Sequence, residues 1–199
     1  NAMALPQPKT SMSLEDFLAW EARQPDKHEY WQGEVFAMTG ARQVHVLVAL
    51  NVASALKAHL RSSPCRTYIS DMQLAVDAAD AVFYPDIFVS CHPDDLQAER
   101  VLRHPKVILE VLSDTTAAYD RGEKFAAYRQ IADLQEYALI DPRYRRIEIF
   151  RRTENDEWLL ATRDAERGLV LKSLDFLATP TEVFESLPEP GASTSHEPS

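Results

Sequence analysis

Three short stretches, FYPD at 83–86, ILEVLS at 108–113 and DRGEKFAAY at 120–128, decide how this chain folds. The run from Val107 to Leu112 is almost continuously apolar, the pattern of a strand covered on both faces, and only Glu110 breaks it. By strand parity Glu110 shares a face with Ile108 and Leu112, while Leu109 and Val111 point the other way. Asp86 similarly interrupts Val82, Phe83, Ile87, Phe88 and Val89, and the preceding Pro85 removes a ladder donor, which predicts a locally irregular strand. Two carboxylates among hydrocarbons are costly unless something compensates them. If the two strands are neighbours the acids converge, and a divalent cation between them relieves the repulsion that otherwise raises a carboxylate pKa. Oxygen-only ligands completed by water suit Mg²⁺ or Mn²⁺. Lys124 follows on a predicted helix, where Asp120, Lys124 and Tyr128 stack at i, i+4 and i+8, so its ammonium can reach the same place. A metal-activated water and an ammonium beside a phosphodiester make a hydrolytic arrangement.

Upstream, Ser13 with Asp16 three residues on has the form of a capping box and opens a short helix that Pro25 ends. Tyr30 to Met38 reads as a hairpin turning at Gln32-Gly33. Val44, Val48, Val52, Leu56 and Leu60 recur by fours and predict the longest helix. Strands are expected at 66–69, 73–76 and 82–89, with His92-Pro93-Asp94-Asp95 as a loop too irregular for a metal site. Asp120 is expected to cap a helix with Glu123 at its third position. Strands at 136–140, 147–150, 158–161 and 169–171 extend the sheet as a meander, and a short helix at 181–187 closes the domain. The expected class is α/β, or α+β with a mixed sheet: helices packed on a central sheet with an added antiparallel meander.

The chain has 199 residues with 45% hydrophobic content, enough for one sizeable core. Residues 1–11 read as a cloning scar and flexible lead, 12–187 as a single domain, and 188–199 as a disordered Pro/Ser/Glu-rich tail. No run approaches the length of a transmembrane span and no N-terminal stretch has a secretion-signal pattern, so the cytoplasm is the default compartment. Cys65 and Cys91 form no CxxC pair, which excludes a zinc ribbon and leaves two unpaired thiols as the expectation. The formal charge of −10 argues against tight non-specific DNA binding, since such affinity rests on Lys and Arg neutralising phosphates. Arg143, Arg145, Arg146, Arg151 and Arg152 form a local basic stripe that can either bind a polyanion or stand solvated on an exposed strand.

At these positions the sequence resembles the Uma2 (DUF820) family, restriction-endonuclease-like proteins of the PD-(D/E)xK nuclease superfamily. The resemblance covers roughly Met12 to Leu187. It rests on Glu29-Tyr30-x-x-Gly33-Glu34, His45 opening the long helix, Pro85-Asp86, Glu110-Val111-Leu112-Ser113, Asp120-x-x-x-Lys124-x-x-x-Tyr128 and Glu136-Tyr137-x-x-x-Asp141-Pro142. The superfamily motif has lysine two residues after the glutamate, where this chain has Leu112. The resemblance implies that the lysine has moved to the following helix, making Lys124 its carrier. It implies further that Asp86 and Glu110 bind Mg²⁺ or Mn²⁺ with the Val111 carbonyl as a third ligand, that Lys124 orients the attacking water, and that Glu34 is an additional acid. His45 and Ser113 are the implied substrate-binding residues, and DNA the implied substrate.

Each of these residues also has a plainer reading. Asp86 and Glu110 can be half-buried partners of basic residues, and Lys124 a solvated helix lysine beside Glu123. His45 can be a satisfied helix-end histidine, Ser113 and Asp120 turn and cap residues, Tyr128 and Tyr137 packing residues. Two functions therefore stand: a metal-dependent DNA endonuclease, or a non-cleaving binding or regulatory protein on the same fold, which the acidic charge favours. Cutting both strands of a duplex suits a two-fold homodimer.

Overall fold

The structure, a computed structural model, describes residues 12–189, so the expected lead and nearly all of the expected tail lie outside the described residues. In chain order the first elements are α1 (Leu14–Glu21), β1 (His28–Trp31), β2 (Glu34–Ala37), α2 (Gln43–His59), β3 (Arg66–Ile69), β4 (Gln73–Val76) and β5 (Ala81–Phe83). There follow β6 (Ile87–Ser90), α3 (Pro93–Gln97), β7 (Val101–Leu102), β8 (Pro105–Val111), α4 (Ala117–Arg121) and α5 (Glu123–Tyr128). The chain finishes with β9 (Glu136–Asp141), β10 (Arg146–Arg152), β11 (Trp158–Leu160), α6 (Thr162–Arg167), β12 (Leu169–Leu171), β13 (Phe176–Ala178) and α7 (Pro180–Val183).

The central sheet runs β11-β10-β9-β8-β6-β3, with β8 parallel to β9 and antiparallel to β6. A second sheet runs β2-β1-β5-β4-β7, and β12 and β13 pair as a separate ribbon. The fold is the expected mixed α/β arrangement, and β8 lies inside the central sheet. Its parity holds: Val107, Leu109 and Val111 pack in one cluster with Val48, Val52 and Leu56 of α2. Ile108 and Leu112 pack in the other with Phe83, Phe125 and Tyr128. Fully burying each such aliphatic side chain stabilises the fold by about 1.5–3 kcal/mol, so α2 is held to the sheet by its stripe rather than by its ends.

Several expectations are corrected. Residues 82–89 are not one strand: β5 belongs to the second sheet and β6 to the central one, and Tyr84-Pro85-Asp86 carries the chain from one to the other. Proline, lacking an N–H, fits a point where pairing changes partners. Asp120 is not an N-cap but lies within α4, and Gly122 (φ −102°, ψ −94°) separates α4 from α5. His92 to Asp95 is not a loop: His92 caps α3, accepting at Nδ1 from the Asp94 amide at 3.2 Å. The meander stops at β11, because β12 pairs with β13 instead of extending the sheet. The closing helix spans only 180–183, where Thr179 and Glu182 form a capping box. The hairpin turn is as expected, with Gln32 (φ 47°) and Gly33 (φ 85°) both left-handed, as a tight antiparallel turn requires.

The two cysteines are not free thiols. Cys65 and Cys91 form a disulfide, because β3 pairs antiparallel with β6 in a register that sets Arg66 opposite Ser90 and so brings the next pair of residues together. The bridge closes a loop with a sequence separation of 26, which on chain-entropy grounds is worth about 3 kcal/mol. Reduction should therefore lower the melting temperature by several degrees, and the Cys65→Ser, Cys91→Ser double variant should melt identically with and without reductant. A wild-type melt unchanged by reductant would show that the bridge does not stabilise the protein in solution.

Candidate active site

Tyr84-Pro85-Asp86 brings the two sheets together, and the polar cluster sits at this junction. Pairing of Ile87 with Leu109 sets Asp86 beside Glu110, and the main chain itself binds the acids. The Val111 amide donates to Asp86 Oδ2 at 2.8 Å, and the Asp86 amide lies 3.4 Å from Glu110 Oε2. His45, in the first turn of α2, donates from Nε2 to the same Asp86 Oδ2 at 3.1 Å. The α2 stripe buries His45, Val48, Val52 and Leu56, so its N-terminal member is a histidine and not Val44, and that shift aims the imidazole at Asp86.

Lys124 reaches back from α5, its Nζ 3.0 Å from Glu110 Oε1 and 3.7 Å from both Asp120 Oδ1 and Glu29 Oε1. Tyr128, one turn further on, donates its hydroxyl to Glu110 Oε1 at 2.9 Å, and Tyr137 donates to the Asp120 carbonyl at 2.9 Å. Phe83 and Tyr128 also present ring faces near the ammonium. Glu29, Asp86, Glu110, Asp120 and Lys124 are each at most 5% exposed. Four carboxylates thus face one lysine and one histidine in a buried junction.

Burial opposes charge at each of these groups, and the neighbours then set the outcome. Asp86, despite its burial, is held down at about 2 by the His45 bond, with Lys124 adding to it. Glu110 is pushed well above the usual carboxylate range by burial, with Asp86 and Asp120 adding to the effect against Lys124. Asp120 is likewise raised, by burial first and by Asp86, against the pull of Lys124. Burial alone would lower Lys124, but Glu110 and Glu29 keep it well above its ordinary value. Two adjacent acids whose affinities for protons are driven apart are a mark of a functional site.

Next to the cluster opens a cleft of about 250 Å³ lined by Arg42, His45, Leu112, Ser113, Asp114 and Arg143, among others. His45 is the link, since its ring bonds Asp86 on one side and borders the cleft on the other. Ser113 also lines the cleft, while its hydroxyl bonds the Thr115 and Thr116 hydroxyls as a turn residue does. Glu34 stands on β2 of the same hairpin, opposite Trp31 and half-buried. The hairpin acid that stands beside Lys124 is Glu29, whose Oε1 also accepts from the Tyr84 amide at 3.2 Å. Glu29 and Tyr128 were not singled out from the sequence as site residues. A carboxylate in a short buried strand and a tyrosine one turn past Lys124 were the available signals.

The arginine stripe is largely occupied. Arg143 binds Asp141 and Asp114, Arg151 binds Glu136 and Asp164, and Arg152 pairs with Asp156 and several backbone carbonyls.

Comparison with known proteins agrees with this architecture. Residues 14–179 match the Uma2 family, described as "Putative restriction endonuclease". The chain belongs to the Uma2 family. Among relatives, uncharacterized protein slr1290 of Synechocystis sp. (strain ATCC 27184 / PCC 6803 / Kazusa) is 33% identical over 167 residues, 84% of this chain and 88% of that one. Uncharacterized protein sll1609 of the same strain is 30% identical over 151 residues, 75% of this chain and 85% of that one. A crystal structure described as a putative nuclease belonging to DUF820, from Anabaena variabilis ATCC 29413, superposes with a TM-score of 0.67 at 17% identity. It covers 87% of this chain and 97% of its own, a likeness of fold. This Uma2 chain is nuclease-like in fold and family, and among its described residues no helix is long and apolar enough to cross a membrane.

Proposed function

We propose that this Uma2 protein is a divalent-metal-dependent DNA endonuclease whose site is Asp86, Glu110 and Lys124. The observation that carries the reading is the 3.0 Å approach of the buried Lys124 Nζ to Glu110 Oε1, beside Asp86. Leu112, at the sequence position where the superfamily motif has its lysine, is turned into the core, and the ammonium that reaches Glu110 comes from α5 instead. The donor set fits a hard cation: carboxylate oxygens in excess of positive charge, at a place where burial makes that excess costly. Asp86 and Glu110 would hold Mg²⁺ or Mn²⁺, with the Val111 carbonyl as a further oxygen and Glu29 or Glu34 as an additional acid. When bound, the metal supplies a Lewis acid and a water acidic enough to attack at neutral pH.

The chain's own groups do the rest. Asp86 is kept ionised by His45 and the Val111 amide, so it is ready as a ligand without first losing a proton. Lys124 stays protonated among its acids, where it can orient the attacking water and meet the charge that grows on phosphorus-bound oxygens. Tyr128 and Phe83 wall the lysine off from solvent and fix its approach. For the substrate, the cleft offers Arg42 and the start of α2, a helix N-terminus that suits phosphate oxygens, while the Arg143 that also lines it is held by Asp114 and Asp141. Ser113 and His45 would contact the same backbone. A local anion site of this kind is compatible with an acidic whole, and cutting a duplex on both strands would use a two-fold pair of chains.

The test is cleavage of single- and double-stranded DNA with Mg²⁺ or Mn²⁺ against EDTA, using wild type and Asp86→Asn. Metal-dependent cutting by wild type, reduced at least ~1,000-fold in the variant, is expected, on the scale of losing a group that acts at the transition state. Absence of cutting with either metal, combined with retained DNA binding, would favour the non-cleaving regulatory reading. Equal cutting by both proteins would remove Asp86 from the site.

A further inference from the structure

At the opposite end of the β6–β8 pair a second group of ligand-type side chains comes together. His92 follows β6 and starts α3, Asp94 lies in the first turn of α3, and His104 precedes β8. One ligand atom from each of the three lies within 4.8 Å of the others. Among the described residues this is the group of three or more His, Cys, Asp or Glu side chains close enough to share an ion. The strand from His104 to Glu110 rises about 20 Å, so this group is separate from the proposed nuclease centre.

Three independent features mark it as built. First, Asp94 Oδ2 stands 3.9 Å from His92 Nδ1 and the His92 ring lies against that of His104, centroids 4.0 Å apart; their planes, at 18°, are near parallel, so the in-plane lone pairs meet at one ion only when the rings turn out of this stack. Second, His104 donates from Nδ1 to Asp133 Oδ2 at 2.7 Å, which leaves Nε2 as its ligand atom. A carboxylate holding the far nitrogen of an imidazole is the usual support of a metal-binding histidine. Third, the two segments are locked together by Asp95, 3% exposed, which accepts from the Ser90 hydroxyl at 2.6 Å, the Arg103 amide at 2.9 Å and the His104 amide at 2.9 Å. Capping of α3 accounts for His92 alone, and the ion pair with Asp133 accounts for His104 alone. Neither accounts for two imidazoles and a carboxylate gathered within reach of one ion on a clamped frame.

We infer that His92, Asp94 and His104 form a second divalent-cation site, of the zinc class, on the face of the molecule away from the nuclease centre. Two imidazole nitrogens and one carboxylate suit Zn²⁺ better than Mg²⁺, whose preference is for oxygen. Bonds of about 2.1 Å would set ligand atoms about 3.4 Å apart in a tetrahedron, so on binding the side chains close by roughly an ångström, the two rings turn out of their stack, and His92 gives up the Asp94 amide that its Nδ1 accepts. The three protein ligands leave the fourth position to water. An ion there would tie the start of α3 to the strand that carries Glu110.

Zinc titration of the full chain by calorimetry, with Co²⁺ absorption in the visible range as a second readout, tests this. The proteins are wild type, Glu110→Gln, Asp94→Ala, His104→Gln and Asp133→Asn, each first checked for an unchanged circular-dichroism spectrum. Asp94 is 80% exposed, so its variant should fold normally. One Zn²⁺ per chain is expected in wild type and in Glu110→Gln, with affinity at least ~10-fold lower in Asp94→Ala and in His104→Gln. Asp133→Asn should lose about 10-fold, as outer-shell variants do. No zinc binding in wild type, binding indifferent to both Asp94→Ala and His104→Gln, or binding abolished by Glu110→Gln would each overturn the assignment.

Discussion

Glu110→Gln should abolish metal-dependent cleavage and, in metal-free buffer at pH 8, make the protein more stable. Glu110 keeps its proton well above its ordinary value of 4.5, because it is buried and faces Asp86 and Asp120. Above pH 4.5 the unfolded chain releases that proton while the folded chain retains it, so the folded state binds more protons and stability falls as pH rises. Asp120 contributes in the same direction. Asp86 has the opposite sign: held at about 2 against an ordinary 3.8, it contributes stability above pH 3.8 that is lost as pH falls toward 2. The metal-free wild type should accordingly melt highest in mild acid and lose stability toward pH 8. The glutamine amide would keep an oxygen to accept from Tyr128 and Lys124 while removing the carboxyl group that burial and its acidic neighbours make costly to ionise. A gain of about 1 kcal/mol at pH 8 is expected, the size usual when a strained functional residue is replaced. Melting curves from pH 4 to 8, with and without Mg²⁺ or Mn²⁺, decide it. The variant should have a flatter pH profile, no response to either metal at concentrations that raise the wild-type melting temperature, and cleavage at least ~1,000-fold down. A variant that is less stable than wild type at pH 8, with the wild-type slope intact, would show that Glu110 carries no excess charge.

The core of this site was legible because strands and helices have fixed periods. An acid breaking the apolar run of β8 had to face a buried layer, and parity set which layer, whatever the neighbouring strands were. The i, i+4, i+8 row of Asp120, Lys124 and Tyr128 likewise survives the break at Gly122, since Lys124 still meets Asp120 and Tyr128 still meets the acid that Lys124 binds. What could not be read depends on partners distant in sequence. Residues 82–89 are equally apolar in either sheet, and hydrophobicity records burial without saying which strand pairs with which. Cys65 and Cys91 meet through the β3–β6 register, and Glu29 meets Lys124 because β1 pairs with β5. Neither meeting leaves a local trace. Tyr128 read as packing because tyrosine in an apolar helix face serves both roles, and only the position of Glu110 Oε1 distinguishes them.

Lys124→Met should be the converse of Glu110→Gln: inactive and markedly less stable at neutral pH. Lys124 Nζ stands within 3.7 Å of Glu29, Glu110 and Asp120 oxygens, so its removal leaves buried carboxylates without their counter-ion. Breaking one partner out of a buried ion pair costs about 3–5 kcal/mol. Because the folded state holds Lys124 protonated well above 10.5, its contribution is fully present below that pH and is lost only as pH rises through the folded value. The lysine's own titration therefore adds no pH dependence between 5 and 8. Any recovery of the variant in acid must come from Glu110 and Asp120 taking up protons, and a large recovery is expected from their raised affinities. A divalent cation should do the same at pH 8 without acid. With the ammonium gone it meets less repulsion, so Mn²⁺ should raise the variant's melting temperature by more than it raises that of wild type. Cleavage should stay at least ~100-fold down even when metal restores the fold, because methionine cannot orient water or meet charge on the phosphate. Circular-dichroism melts at pH 5 and 8, with and without Mn²⁺, alongside DNA cleavage at pH 8, separate the two roles. If metal restores both stability and full cutting, Lys124 is a structural counter-ion and the reaction proceeds without it.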